Sequence, residues 1–191
     1  MRDDAEHVQP ADRAAWRRWL ERHHTRPDGI WLVYTKKRAA RPGALVYDEA
    51  VEEALCFGWN DSKVLRHGDD HFRQWFSPRR PRSIWSALNK QRVEEVIAAG
   101  LMTPAGMAKV DAARADGSWS QYDDVDAGVV PDDLQAALDA APGATEGFEG
   151  LTPSARKQVL FWVASAKRPE TRRRRIERAA EAAARGEPPV G

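Results

Sequence analysis

The chain has 191 residues, 42% of them hydrophobic and 31% charged, with 30 Lys+Arg against 29 Asp+Glu. That length can bury a real core, and eight Trp among charges of both signs exclude wholesale disorder. The single cysteine, Cys56, excludes an internal disulfide framework and a Cys-rich zinc module. No apolar signal region opens the sequence, and the longest apolar-rich run, Val159 to Ala166, is too short to cross a bilayer. The expectation is a soluble, cytoplasmic protein with no cofactor and no metal.

Asp12 is placed to cap a first helix reaching His23, with Trp16, Trp19, Leu20 and His23 along one stripe. Pro27-Asp28-Gly29 makes a turn. Ile30 to Lys36 is β-branched and aromatic at both parities, which suits a strand covered on both faces. After the loop RAARPG, Asp48 reads as the cap of a second helix carrying Val51, Ala54 and Leu55, and Gly58 stops it. Ser62 to His67 and His71 to Ser77 pair as a hairpin over Gly68-Asp69-Asp70, and Pro78 and Pro81 break the second strand. Ser83 reads as the cap of a helix running to Ala99 and closed by Gly100, and Thr103-Pro104 opens the next. The stretch 123–150 is expected to hold one short helix after Pro131 and otherwise loop. Thr152-Pro153 opens a helix to Lys167, and Pro169 begins a last helix that ends at Gly186. Strands early and helices late predict an α+β fold: a small antiparallel sheet with packed helices, then a mostly helical C-terminal half. The corresponding division is a sheet region over 1–82 and a helical region over 83–191, packed as one domain, with 123–150 as an acidic, loop-rich segment.

Charge is segregated along the chain. Residues 63–92 hold eight Lys/Arg against two acids, 123–150 hold eight acids and no Lys or Arg, and 151–185 hold ten Lys/Arg against three Glu. The densest signal is FSPRRPRSIWSALNKQR, residues 76–92, where Arg79, Arg80 and Arg82 sit in a proline-stiffened loop before Ser83. Planar guanidinium forks match phosphate or carboxylate oxygens in pairs, and a helix start adds free N–H groups. The competing reading pairs these arginines with the acidic stretch or leaves them solvated. A second basic run, AKRPETRRRRIERA at 166–179, offers Lys167, Arg168 and Arg172 as another wall of an anion site. Its four consecutive arginines point around the helix, and Glu170 with Arg174 reads as surface bracing.

ALCFGWND, residues 54–61, contributes Trp59 as a stacking plate and Asp61 as a polar group, and with Trp85 it suggests an aromatic-walled pocket. The bland alternative places most tryptophans in the core. Cys56 lies inside a helix with no His near it in sequence and reads as a buried, inert thiol. His67 and His71 flank the hairpin turn without metal-ligand spacing. Motifs for nucleotide binding, metalloprotease or serine-hydrolase chemistry are absent from the sequence.

ALCFGWND, FSPRRPRSIWSALNKQRVEEVIAAGLMTPAG and AKRPETRRRRIERA together resemble the YdeI/OmpD-associated proteins, also labelled bacteriocin-protection proteins, with a likeness running along nearly the whole chain. The PRRPxSxWSxxN and AKRxETRxRR elements carry most of it. The resemblance implies a YjbR/CyaY-like α+β fold and a role in stress or antimicrobial resistance, and it transfers no catalytic residues.

Three functions are therefore weighed. The first is a non-enzymatic protein that binds a phosphate- or carboxylate-bearing ligand, nucleic acid included, through Arg79, Arg80, Arg82, Ser83 and Trp85. The second is an enzyme acting on a small polar or phosphorylated metabolite, with Asp61 or His71 as acid/base. The third is a protein-interaction module docking a partner through tryptophans and the acidic segment.

Overall fold

The sheet is built from strands that the sequence marks by their β-branched and aromatic content. A computed structural model describes residues 4–187, and contacts divide the chain into one unit ending at Trp119 and a second beginning at Ser120. The first unit runs β1 (His7–Val8), α1 (Arg13–His23), β2 (Ile30–Thr35), α2 (Tyr47–Cys56), β3 (Trp59–His67), β4 (His71–Pro78), α3 (Ala87–Ala98) and α4 (Pro104–Ala115). The strand order is β1-β2-β4-β3. β2 pairs antiparallel with β4, Ile30 opposite Phe76, and β4 closes the hairpin with β3. Two-residue β1 joins the free edge of β2 in parallel, so the sheet is mixed where the sequence points only to antiparallel pairing. A strand that short carries no periodicity to read.

Asp12 caps α1 by accepting from the Ala15 amide at 2.6 Å, and α1 lays Trp16 and Leu20 on the core with Ile30, Leu32, Leu55 and Phe76. A buried ion cluster ties α1 to α2: Glu53, only 2% exposed, accepts from Arg13 Nε at 2.7 Å and from Arg17 Nη1 at 2.8 Å. α4 is drawn hard against α2. A Cβ at Gly106 would collide with the Cys56 carbonyl, and one at Gly58, whose φ is +75°, would sit 2.7 Å from Lys109 Cγ. Both positions therefore require glycine.

Two expected caps move. α2 starts at Tyr47 with Val46 before it, so Asp48 lies in the first turn, where its carboxylate pairs with Arg92 at 2.7 Å. α3 starts at Ala87 and is capped by Ser86, which accepts from Asn89 N at 3.2 Å. Ser83 instead donates to the Arg80 carbonyl at 2.6 Å within a turn. Residues 83–86 stay outside the helix, and Trp85 among them is buried, at 2% exposure.

The second unit is all helix: α5 (Asp123–Ala127), α6 (Asp132–Ala140), α7 (Ala144–Glu149), α8 (Pro153–Ala164) and α9 (Pro169–Ala184). The acidic stretch thus holds three helices rather than one. Val125, Leu134, Leu138 and Phe148 face a core shared with Val159, Leu160, Val163 and Ile176, while acids cluster in first turns, where the helix dipole favours them. α8 stops three residues before Lys167. Arg175 Nη1 binds the Trp162 carbonyl at 2.5 Å and Ser165 Oγ at 2.9 Å, satisfying the polar groups of that helix end. No helix among the described residues is long and apolar enough to cross a membrane.

Candidate functional site

After β4 the chain turns at Pro78, and Arg79 is fixed at once: its amide donates to the Gly58 carbonyl at 2.9 Å. Its side chain folds back over the loop. Nη1 donates to the Ile84 carbonyl at 2.9 Å and to that of Ser83 at 3.5 Å, and the guanidinium carbon lies 3.6 Å from the centre of a Trp85 ring. Arg79 is 5% exposed and has no ion-pair partner among the described residues. Burial pushes its guanidinium down from the ordinary arginine value to about 10, with Asp61, beyond ion-pair reach, offsetting part of that. At neutral pH the group is still a cation. Buried arginines are almost always paired, so this arrangement departs from what stability alone selects.

Arg79 and Trp85 share the wall of a cavity of about 80 Å³ with Arg82, Lys109, Asp116 and Ser118. Arg79 Nε and Trp85 Nε1 are buried without a hydrogen-bond partner. Both are pure donors, so only an acceptor can satisfy them. Ser118 Oγ also lacks an aligned partner. It lies beside Asp116, whose carboxylate is held below its usual range by the Ser118 side chain and amide, with Arg82 adding to the effect. Arg82 adopts φ +57°, a left-handed conformation unusual for a residue with a Cβ. It turns the loop so that residues 79–85 close on α4.

The structure therefore brings Arg79, Arg80, Arg82, Ser83 and Trp85 around one cavity, as a loop clamp instead of a helix start. It adds Lys109, Asp116 and Ser118, which the sequence reading missed. Trp59 and Asp61 stand apart from that cavity. Trp59 is a core residue whose indole donates to the His24 carbonyl at 3.0 Å. Asp61 accepts from Gln74 Nε2 at 2.6 Å and from the Tyr47 hydroxyl at 3.1 Å. Lys167, Arg168 and Arg172 belong to the second unit. There Arg172 is taken up by Asp133 in a fork at 2.6 and 2.8 Å, a pairing with the acidic stretch that the sequence reading considered only for the loop arginines. Trp16, Trp31, Trp59, Trp75 and Trp85 are buried, whereas Trp19, Trp119 and Trp162 are half-buried.

Residues 8–109 match the model of a family described as Domain of unknown function (DUF8412). That span exceeds half of the chain. The chain belongs to this family. Residues 127–186 match a second model, described as Bacteriocin-protection, YdeI or OmpD-Associated. The DUF8412 match thus contains ALCFGWND and the arginine loop, and the YdeI/OmpD-associated match contains the arginine-rich α9. No curated protein and no solved structure matches the chain.

Proposed function

We propose that this DUF8412 protein is a non-enzymatic anion-binding protein, with a protective role of the kind its YdeI/OmpD-associated segment names, and that the Arg79 cavity takes the anion. One observation carries the reading: a buried guanidinium with no ion-pair partner and a buried indole, with Arg79 Nε and Trp85 Nε1 both lacking acceptors, line the same cavity. Arg80, Arg82 and Lys109 outweigh Asp116 on its walls, so the field there favours negative charge. The volume holds a few waters or a single carboxylate- or phosphate-sized group, at roughly 30 Å³ per water. The body of the ligand then lies outside. A nucleic acid could present one phosphate to the cavity but no base. The free, buried thiol of Cys56 suits a reducing compartment, and we place the protein in the cytoplasm.

Thermal shift and titration calorimetry with inorganic phosphate, sulfate and acetate test this. Saturable stabilisation by at least one of them is expected, weakened at least tenfold in Arg82→Glu and in Lys109→Met, which keeps the stem packed on Gly58. No response to any of the three, or equal affinity in both variants, overturns the proposal.

A further inference from the structure

A larger cavity of about 410 Å³ lies elsewhere in the first unit, within the size range of small-molecule sites. A β-bulge builds it. Asp61 opposes Phe76 and Val64 opposes Gln74, so β3 carries one residue more than β4 between those pairs. That extra residue resets the parity of β3. Val64 and Arg66 now share a face with Gln74 and Phe72, and with Tyr34, which opposes Phe72 on β2.

The floor is aromatic. The Tyr34 ring lies 6.0 Å from that of Tyr47 and 6.2 Å from that of Phe72. Its polar atoms are already committed: the Tyr34 hydroxyl donates to Gln74 at 2.6 Å, and the Tyr47 hydroxyl and Gln74 amide converge on Asp61. A ligand therefore meets ring faces and Val64, which is 50% exposed. The mouth is basic. An adjoining hollow of about 300 Å³ shares Lys36, Lys37 and Phe72 with this cavity and adds Arg38 and Arg66. The Lys36 ammonium is held by the carbonyls of Gly68 and Asp69, 5.0 Å from the Phe72 ring centre. Lys37 and Arg66 have no ion-pair partner among the described residues. The one carboxylate on the larger cavity's wall, Asp48, is engaged by Arg92.

We propose that this groove binds a small amphipathic anion: a flat aromatic body on the Tyr34–Tyr47–Phe72 floor, with a carboxylate, sulfonate or phosphate reaching Lys37 and Arg66. The site is separate from the Arg79 cavity and stands without it.

Two matched fluorescent probes test it on the full chain, anilinonaphthalene sulfonate and its uncharged relative N-phenylnaphthylamine. The native protein binds both at one site, with an unchanged melting temperature and near-ultraviolet circular dichroism marking the fold as intact. Lys37→Glu with Arg66→Glu weakens the sulfonate at least tenfold and the neutral probe less than twofold. Val64→Asp, at an exposed position, weakens both at least tenfold. Inorganic phosphate at a concentration saturating the Arg79 cavity leaves the neutral probe's affinity unchanged, which separates this groove from that site, and a loss of the neutral probe under phosphate overturns the separation. Absence of saturable binding, or equal loss of the two probes in the charge-reversed variant, overturns the proposal.

Discussion

Arg79 and Trp85 form a stacked pair, 3.6 Å from guanidinium carbon to ring centre, and each keeps one buried N–H without an acceptor. Stacking and two carbonyl contacts hold the cation in place but leave its charge uncompensated. A buried unsatisfied donor costs about 1–3 kcal/mol, so the empty pair weakens the fold and an anion would recover that loss. Under the proposed function, stability and ligand occupancy would therefore be coupled.

Arg82→Gly separates those two quantities. Residue 82 sits at φ +57°, where a Cβ costs about 1–2 kcal/mol and glycine does not, against an entropic cost of about 0.5–1 kcal/mol for glycine in the unfolded chain. Urea unfolding of the ligand-free variant should show stability unchanged or raised by up to about 1 kcal/mol, while phosphate affinity falls. A marked loss of stability contradicts the strain argument.

Glu53→Gln tests the clamp between α1 and α2. The substitution keeps size but removes the charge facing Arg13 and Arg17, leaving their guanidinium groups with a neutral partner in a mostly enclosed position. A loss of about 2 kcal/mol is expected by denaturant unfolding. The Arg13–Glu52 pair at 2.8 Å remains and limits the damage. Unchanged stability shows that the cluster contributes nothing net.

Cys56 makes alkaline solution destabilising. Burial pushes its thiol up from 9.0 to about 11, with Glu53 adding to the effect and Arg17 opposing it. The unfolded thiol loses its proton first, so the folded state binds more protons between those values and stability falls as pH rises through them. Tyr34, raised mainly by burial, acts in the same direction. Native protein at pH 8 should leave a disulfide reagent such as dithionitrobenzoate unreacted and consume it promptly in guanidinium. Cys56→Ala should flatten the stability profile from pH 9 to 11. Rapid native labelling contradicts the assignment of a sealed thiol.

Local signals were legible in the sequence wherever the physics is local. Asp12, Thr103 and Thr152 each cap a helix by reaching an amide three residues on, and the Gly68 turn closes its hairpin. Ser83 and Ser86 are both credible caps, and nothing within three residues decides between them. The decision comes from Trp85, which is drawn inward and stacks on Arg79, six residues away. The acidic stretch hid its helices because surface aspartates dominate its composition, while Val125, Leu134, Leu138 and Phe148 supply only a few apolar points. The loop arginines were visible as charge. Their cavity was not, because Lys109, Asp116 and Ser118 arrive from α4 and just beyond it, and sequence spacing does not encode that approach. Trp59 and Asp61, two residues apart on β3, end in different surroundings: one in the core, the other in the Tyr47–Gln74 network.

The two missing side chains at Gly58 and Gly106 act as a gauge. Lys109 reaches the arginine loop only because α4 rests directly on the backbone at the end of α2, so two hydrogen atoms set the width of a pocket that neither glycine lines. A methyl group at either place would work as a wedge, prising α4 outward and opening the cavity to larger guests. The size limit of the proposed anion site is thus set from behind the wall, by contacts the guest would never touch.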